Sequence, residues 1–173
     1  MAAGRQLWGM LIALCLSGQA GAAHVETVRI DPDRIDAVAK IPFKCAYRLG
    51  SVIDQRPVGE EAGSLGWRRY ILDNAAGVVD GQLRKSGFSD VSAVQAPSVD
   101  VMLMRLYIQQ NLYTNLPIVV YQAKIDGGEP FVVRSQIGKM TWTAGEDKAY
   151  DGYALALRDA NDRLISELNA RCR

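Results

Sequence analysis

The sequence predicts an α+β domain: a two-layer sandwich in which a mostly antiparallel, four-stranded sheet carries two helices on one face. Three observations predict it. Apolar and polar residues alternate, as in strands, over 41–53, 117–126 and 130–142, and 99–109 is a mostly apolar run of strand length. Over 73–86 and 143–172 apolar residues recur every three or four positions, as in helices. The order along the chain is therefore strand, helix, three strands, helix, which places both helices on the same side of one sheet. Composition agrees, because 173 residues at 49% apolar and 23% charged suffice for a packed core.

Residues 1–22 read as a cleaved secretory signal. Arg5 precedes a short apolar run, Leu7–Leu16, and Ala20-Gly21-Ala22 supplies the small-residue cleavage pattern. An uncleaved membrane anchor is the rival, but the apolar run is about half of the roughly 20 residues a span needs. A lipoprotein signal ending at Cys15 is a second rival, and there Leu14 stands where a small residue belongs. Once the signal leaves, the remainder carries no net formal charge.

Residues 23–40 form an N-terminal arm, extended or irregular, with a turn at Asp31-Pro32-Asp33. Residues 41–173 form the single α+β domain. In its first strand Phe43, Cys45, Tyr47 and Leu49 share the apolar face. Residues 54–66, rich in glycine and charge, make the longest loop, and Asp54 and Arg56 form a local ion pair that holds it to the sheet. The helix at 73–86 is capped by Asp73, presents Ala75, Ala76, Val79 and Leu83, and stops at Gly87. Its two glycines, Gly77 and Gly81, suggest close approach to the sheet. Asp126-Gly127-Gly128-Glu129 is a hairpin signal between the third and fourth strands. The last helix opens with a capping box, Thr143 and Glu146, and buries Tyr153, Leu157, Ala160, Leu164 and Leu168.

Two cysteines remain in the processed chain, Cys45 and Cys172. An even pair in an exported protein points to a disulfide, here from the inward face of the first strand to the end of the last helix. Loop closure alone puts its stabilisation at roughly 4–5 kcal/mol. Two buried thiols are the alternative.

The chemistry excluded is broad. Basic and acidic residues number 20 and 19, so no net field attracts a nucleic acid. One histidine and three cysteines exclude zinc fingers and four-cysteine clusters. No phosphate loop, dinucleotide fingerprint or nucleophile elbow is present, and no cofactor or metal is expected. Asp54 with Glu60 or Glu61 is the remaining catalytic idea, a carboxylate pair of the glycosidase kind, although loop carboxylates are usually solvated charges. Tyr107, Tyr113 and Tyr121 suit sugar stacking but equally suit a core.

The outer sheet face is the stronger lead. Val101 to Ile108 is apolar on both alternating faces, so the arm, a second copy of the chain or a ligand covers the outer one, unless the strand is simply central. Arg105, Arg134, Gln136 and Trp142 are the candidate binding residues there.

Leu49-Gly50-Ser51-Val52-Ile53-Asp54-Gln55-Arg56-Pro57, then Leu65-Gly66, then Leu83-Arg84-Lys85-Ser86-Gly87-Phe88 and the strand 99–109 resemble small bacterial envelope proteins. The similar families are the YajG-type lipoproteins and the auxiliary components of envelope ABC transport systems. The resemblance lies in layout over 41–172. It implies a non-catalytic role through protein or lipid contacts near the outer membrane. The expected function is thus a periplasmic accessory or binding protein, with another envelope protein, a second copy of itself or lipid as partner. A secreted inhibitor or effector-like module and a small secreted hydrolase are the alternatives.

Overall fold

The computed structural model describes residues 25–89, 96–110, 114–137, 140–141 and 146–172. The expected signal peptide, Tyr113, Trp142 and the Thr143 capping box lie outside the described residues.

The chain runs β1 (Glu26–Arg29), β2 (Arg48–Asp54), β3 (Glu61–Leu65), β4 (Arg68–Ile71), α1 (Ala75–Lys85), β5 (Ser98–Gln110), β6 (Thr114–Ile125), β7 (Phe131–Arg134), β8 (Met140–Thr141) and α2 (Glu146–Ala170). The α+β class and the two helices stand. The sheet does not match the expected four antiparallel strands. Eight strands form it and it is mixed, with β1–β4, β2–β5 and β3–β5 parallel.

A long hairpin of β5 and β6 is the spine, paired from Val99↔Ile125 to Gln110↔Asn115. Thirteen residues rise about 43 Å, more than one short neighbour can flank. So the free edge of β5 is shared: β2 takes Ser98–Leu103 and β3 meets it at Ile108. The free edge of β6 is shared likewise between β7 and β8. The expected strand 130–142 is thus two pieces; just past β7, Ser135 still donates its N–H to the Val119 carbonyl, but its hydroxyl rather than its carbonyl accepts the Val119 N–H. β6 begins at Thr114 rather than 117. The turn after it is as expected, with Asp126 and Gly127 both at positive φ and Gly128 N–H bonded to the Ile125 carbonyl.

The expected loop 54–66 holds a strand. β3 pairs antiparallel with β4 across the Gly66-Trp67 turn. It was hidden because a bulge between Glu61 and Ser64 breaks the alternation. Gly63 sits at φ 98°, and a Cβ there would come within 2.4 Å of the Ile108 carbonyl, so glycine is what lets β3 reach β5.

α1 is capped by Asn74 rather than Asp73. Asn74 adopts φ 47°, which asparagine tolerates, and accepts from the Gly77 N–H. Gly77 therefore makes room for the cap and not for the sheet, since a Cβ would strike the Asn74 side chain; Gly81 faces open space. Asp73 pairs instead with Arg29.

The arm is the largest correction. Residues 23–40 were expected outside the domain, but β1 extends the sheet beside β4, and Ile30, Ile35 and Ala37 are buried in the core. The next stretch, 41–47, was expected as strand and has no ladder partner. Its alternation is real, with Phe43, Cys45 and Tyr47 inward, but it runs over the helix layer. α2 holds it there: Asp162 accepts from the Lys40 and Ile41 N–H groups, and Asn169 exchanges hydrogen bonds with Lys44 and Pro42.

At its most buried point the arm lies between the helices. Gln82 of α1 accepts from Ala37 N–H at 2.9 Å and donates to the Ile35 carbonyl at 2.8 Å. Asn161 of α2 donates to the Ala37 carbonyl at 2.8 Å. The amide oxygen of Asn161 accepts from the Tyr121 hydroxyl of β6 at 3.0 Å. Burial pushes that phenol far up from its ordinary pKa, so it stays a donor. Sheet, α2, arm and α1 are joined by one buried polar chain.

Cys45 and Cys172 form the expected disulfide, with Cα atoms 6.0 Å apart. It ties the irregular stretch 41–47, rather than a strand, to the residue pair after α2.

Asn161→Ala is expected to cost about 3 kcal/mol, because it strands both the Tyr121 hydroxyl and the Ala37 carbonyl. Tyr121→Phe, which leaves only the Asn161 oxygen unpaired, should cost less. Urea midpoints of the two variants check this, and equal midpoints would count against the shared chain.

Candidate functional site

The helices, the arm and the disulfide lie against one face of the sheet, where Leu49, Val99, Val101, Leu103, Tyr121 and Val133 are buried. The register defines the opposite face. Ile53, Met102, Gln122 and Val132 form one cross-strand row over β2, β5, β6 and β7. Ile53 is 47% exposed and Val132 is 67% exposed. A bulge at Met104 then resets the alternation, and the next row is Arg105, Val120 and Arg134. Two of the four expected face residues, Arg105 and Arg134, are thus brought together on either side of one valine. Gln136 is not with them. It lies past the end of β7, and its N–H donates to Asp159 of α2.

A third row, Asp100 beside Lys124, closes the other end of the face. Asp100 accepts from both the N–H and the hydroxyl of Ser51, each at 2.8 Å. These donors hold its carboxyl below the usual range against the opposing effect of burial, with lesser help from Lys124 and Arg48.

The expected ion pair between Asp54 and Arg56 is present and does more than hold a loop. The Arg56 side chain is 3% exposed. Its Nε and Nη2 bind both Asp54 oxygens, at 2.7–3.1 Å. Nη2 also donates to the Leu72 carbonyl and Nη1 to the Glu61 carbonyl. One guanidinium therefore joins the end of β2, the start of β3 and the residue after β4.

Beside it, where β2 ends and β3 arrives along β5, a pocket of about 220 Å³ opens. Arg56, Pro57, Val58, Glu61, Arg105 and Tyr107 line it. Arg105 belongs both to this pocket and to the open face, so the face and the 54–66 segment form one surface. Val58 at the rim is 61% exposed. Of the loop carboxylates, Asp54 is engaged by Arg56 and Glu61 by Arg69, while Glu60 is exposed. Tyr107 lines the pocket, whereas Tyr121 is core.

The row partners Val120 and Val132 were missed in the sequence. Strict alternation within β7 does set Val132 beside Arg134, but joining Arg105 to Arg134 requires the β5–β6 register and its bulge.

No family model matches the chain, and no curated protein matches it. Among solved structures the chain is similar to protein XCC0632 from Xanthomonas campestris, described as a DUF330 protein. It is 7% identical over 84% of this chain and 99% of that one, with a TM-score of 0.46.

Two outcomes follow from the charges. Asp54→Ala leaves the Arg56 guanidinium buried without its carboxylate and should cost on the order of 2–3 kcal/mol. Asp54→Ala with Arg56→Met should cost clearly less than the sum of the single changes, as a double-mutant cycle reads. For Asp100 the folded pKa is depressed, so its contribution is present above the unfolded value of about 3.9 and is lost as pH falls through the folded value. The stability gap between the parent and Asp100→Asn should thus be wide at neutral pH and shrink below pH ~4, measured by urea unfolding across that range. A gap constant with pH would remove the carboxylate charge as its source.

Proposed function

We propose that this protein is a non-catalytic accessory binding domain of the bacterial periplasm, acting through its open sheet face on another envelope protein, a second copy of itself or lipid. The observation that carries this reading is the asymmetry of the sheet. The helices and the arm lie on one side; the other side is covered at Ile118 and flanked by the 56–58 segment, but presents Ile53, Met102 and Val132 beside Arg105 and Arg134. Contiguous apolar surface with charged residues at its margin is the usual form of an interaction site. The Cys45–Cys172 disulfide supports an oxidising compartment, in keeping with the signal-like residues 1–22. Among the described residues no helix is long and apolar enough to cross a membrane. The layout likeness to YajG-type and transport-auxiliary envelope proteins points the same way.

The test is site-specific photocrosslinking in intact cells, with a benzophenone side chain at Ile53 or Val132 on the open face, or at Leu155 on α2, which is also exposed. Periplasmic fractions should contain discrete adducts from the two sheet positions and none from Leu155. Adduct mass separates a second copy from another protein or lipid. A chain found outside the periplasm, or adducts indifferent to position, would sink the reading.

A further inference from the structure

We infer that the row Arg105–Val120–Arg134, with the pocket beside Arg105, receives an acidic polypeptide segment that carries two carboxylates about 10 Å apart with apolar side chains between them. This names the partner chemistry of the docking reading above and rests on it.

The arginines carry the argument. Among the described residues, Arg29, Arg34, Arg56, Arg68, Arg69, Arg84, Arg163 and Arg171 are all ion-paired. Arg158 donates to the Asp36 carbonyl, and Arg48, whose buried Nε has no hydrogen-bond partner, lies away from this row at the start of β2, where it only weakly lowers the Asp100 carboxyl. Arg105 and Arg134 are left, and both fall in one cross-strand row, on one face, either side of Val120. Two inter-strand spacings of about 4.8 Å separate their strands by about 10 Å. A free guanidinium presents a planar donor fork that matches a carboxylate. In the adjoining pocket Asp54 already neutralises Arg56, and Arg69 neutralises Glu61, so Arg105 is the unmatched charge there. At about 220 Å³ the pocket is smaller than the ~300–1,000 Å³ of small-molecule sites and suits a single side chain. Three residues of polyproline-like chain span about 9 Å and bring side chains three apart onto one side, so acidic residues three apart reach both arginines while the chain between them passes over Val120.

The probe is the peptide acetyl-Glu-Leu-Leu-Glu-amide, titrated into the ¹⁵N-labelled, oxidised chain, with acetyl-Gln-Leu-Leu-Gln-amide as neutral control. The glutamate peptide should shift the amide signals of residues 105, 120 and 134. Arg105→Gln and Arg134→Gln should each weaken it about fivefold, with unchanged urea midpoints. Mixed phosphatidylethanolamine–phosphatidylglycerol vesicles should not bind the chain. Vesicle binding that requires both arginines, or a dimer lost in both variants, overturns the inference. Equal binding of the two peptides with the Val132 cross-links intact overturns it and leaves the docking reading standing. Loss of those cross-links as well overturns both.

Discussion

Ala37 is where the two layers are held together. A backbone segment buried between two helices cannot reach water, so its N–H and carbonyl groups need partners from the helices themselves. Gln82 and Asn161 supply them. Each occupies a position on an otherwise apolar helix stripe, a costly place for an amide unless it is satisfied. The helices are consequently spaced by a strand of main chain, and Tyr121 carries that spacing down to the sheet. The Arg34 guanidinium over the Tyr150 ring and the Asp31 N–H on the Tyr150 hydroxyl fasten the same arm at the start of α2. The disulfide fastens it at the other end.

The β5–β6 spine imposes a second constraint. Its length forces each edge to be shared by two short strands, and a shared edge leaves a fork. Around the fork three chain ends converge with carbonyls that no ladder takes up. Arg56 answers this with a planar fork of donors, two for a carboxylate and two for main-chain oxygens. A lysine has neither the reach nor the planar geometry. The pocket is the space this arrangement leaves, and the Tyr153 hydroxyl pins its β3 wall to α2 through the Ala62 carbonyl.

What was legible in the sequence was whatever depends on local period. The inward residues of α2, the alternation from Phe43 to Leu49, the Asp126-Gly127 turn and the Asp54–Arg56 pair are all local in this sense. The cysteine pairing was legible from export logic. The hidden parts depend on non-local partners. Residues 41–47 have a strand's alternation, but alternation does not reveal whether a ladder neighbour exists. β3 is five residues with a bulge, and only pairing to β4 makes it a strand. Gln82 and Asn161 interrupt apolar stripes, a signal readable as a buried polar requirement, but the sequence does not say which backbone they serve. The same limit applies to the face. Arg105 and Arg134 were identifiable as outward residues, while their common row depends on a bulge at Met104 that no local pattern marks.

The placement of the arm also decides how the sheet can meet a partner. Chain that threads between the helices does not lie over Ile53, Met102 and Val132. The terminal strands β1 and β7 are four residues each, and short edges template added strands weakly, whereas the seven-residue β2 pairs only with β5 among the described strands and keeps a free edge. The other route is through side chains standing off the broad face. On such a surface apolar contact supplies area with little discrimination, and partner choice falls to charge. Asp100 is already held by Ser51 and set against Lys124, which leaves the two unpaired guanidiniums as the selective element. On the proposed docking reading, the internal packing that buries the arm is what leaves Arg105 and Arg134 uncovered on this face as the groups that would distinguish one partner from another.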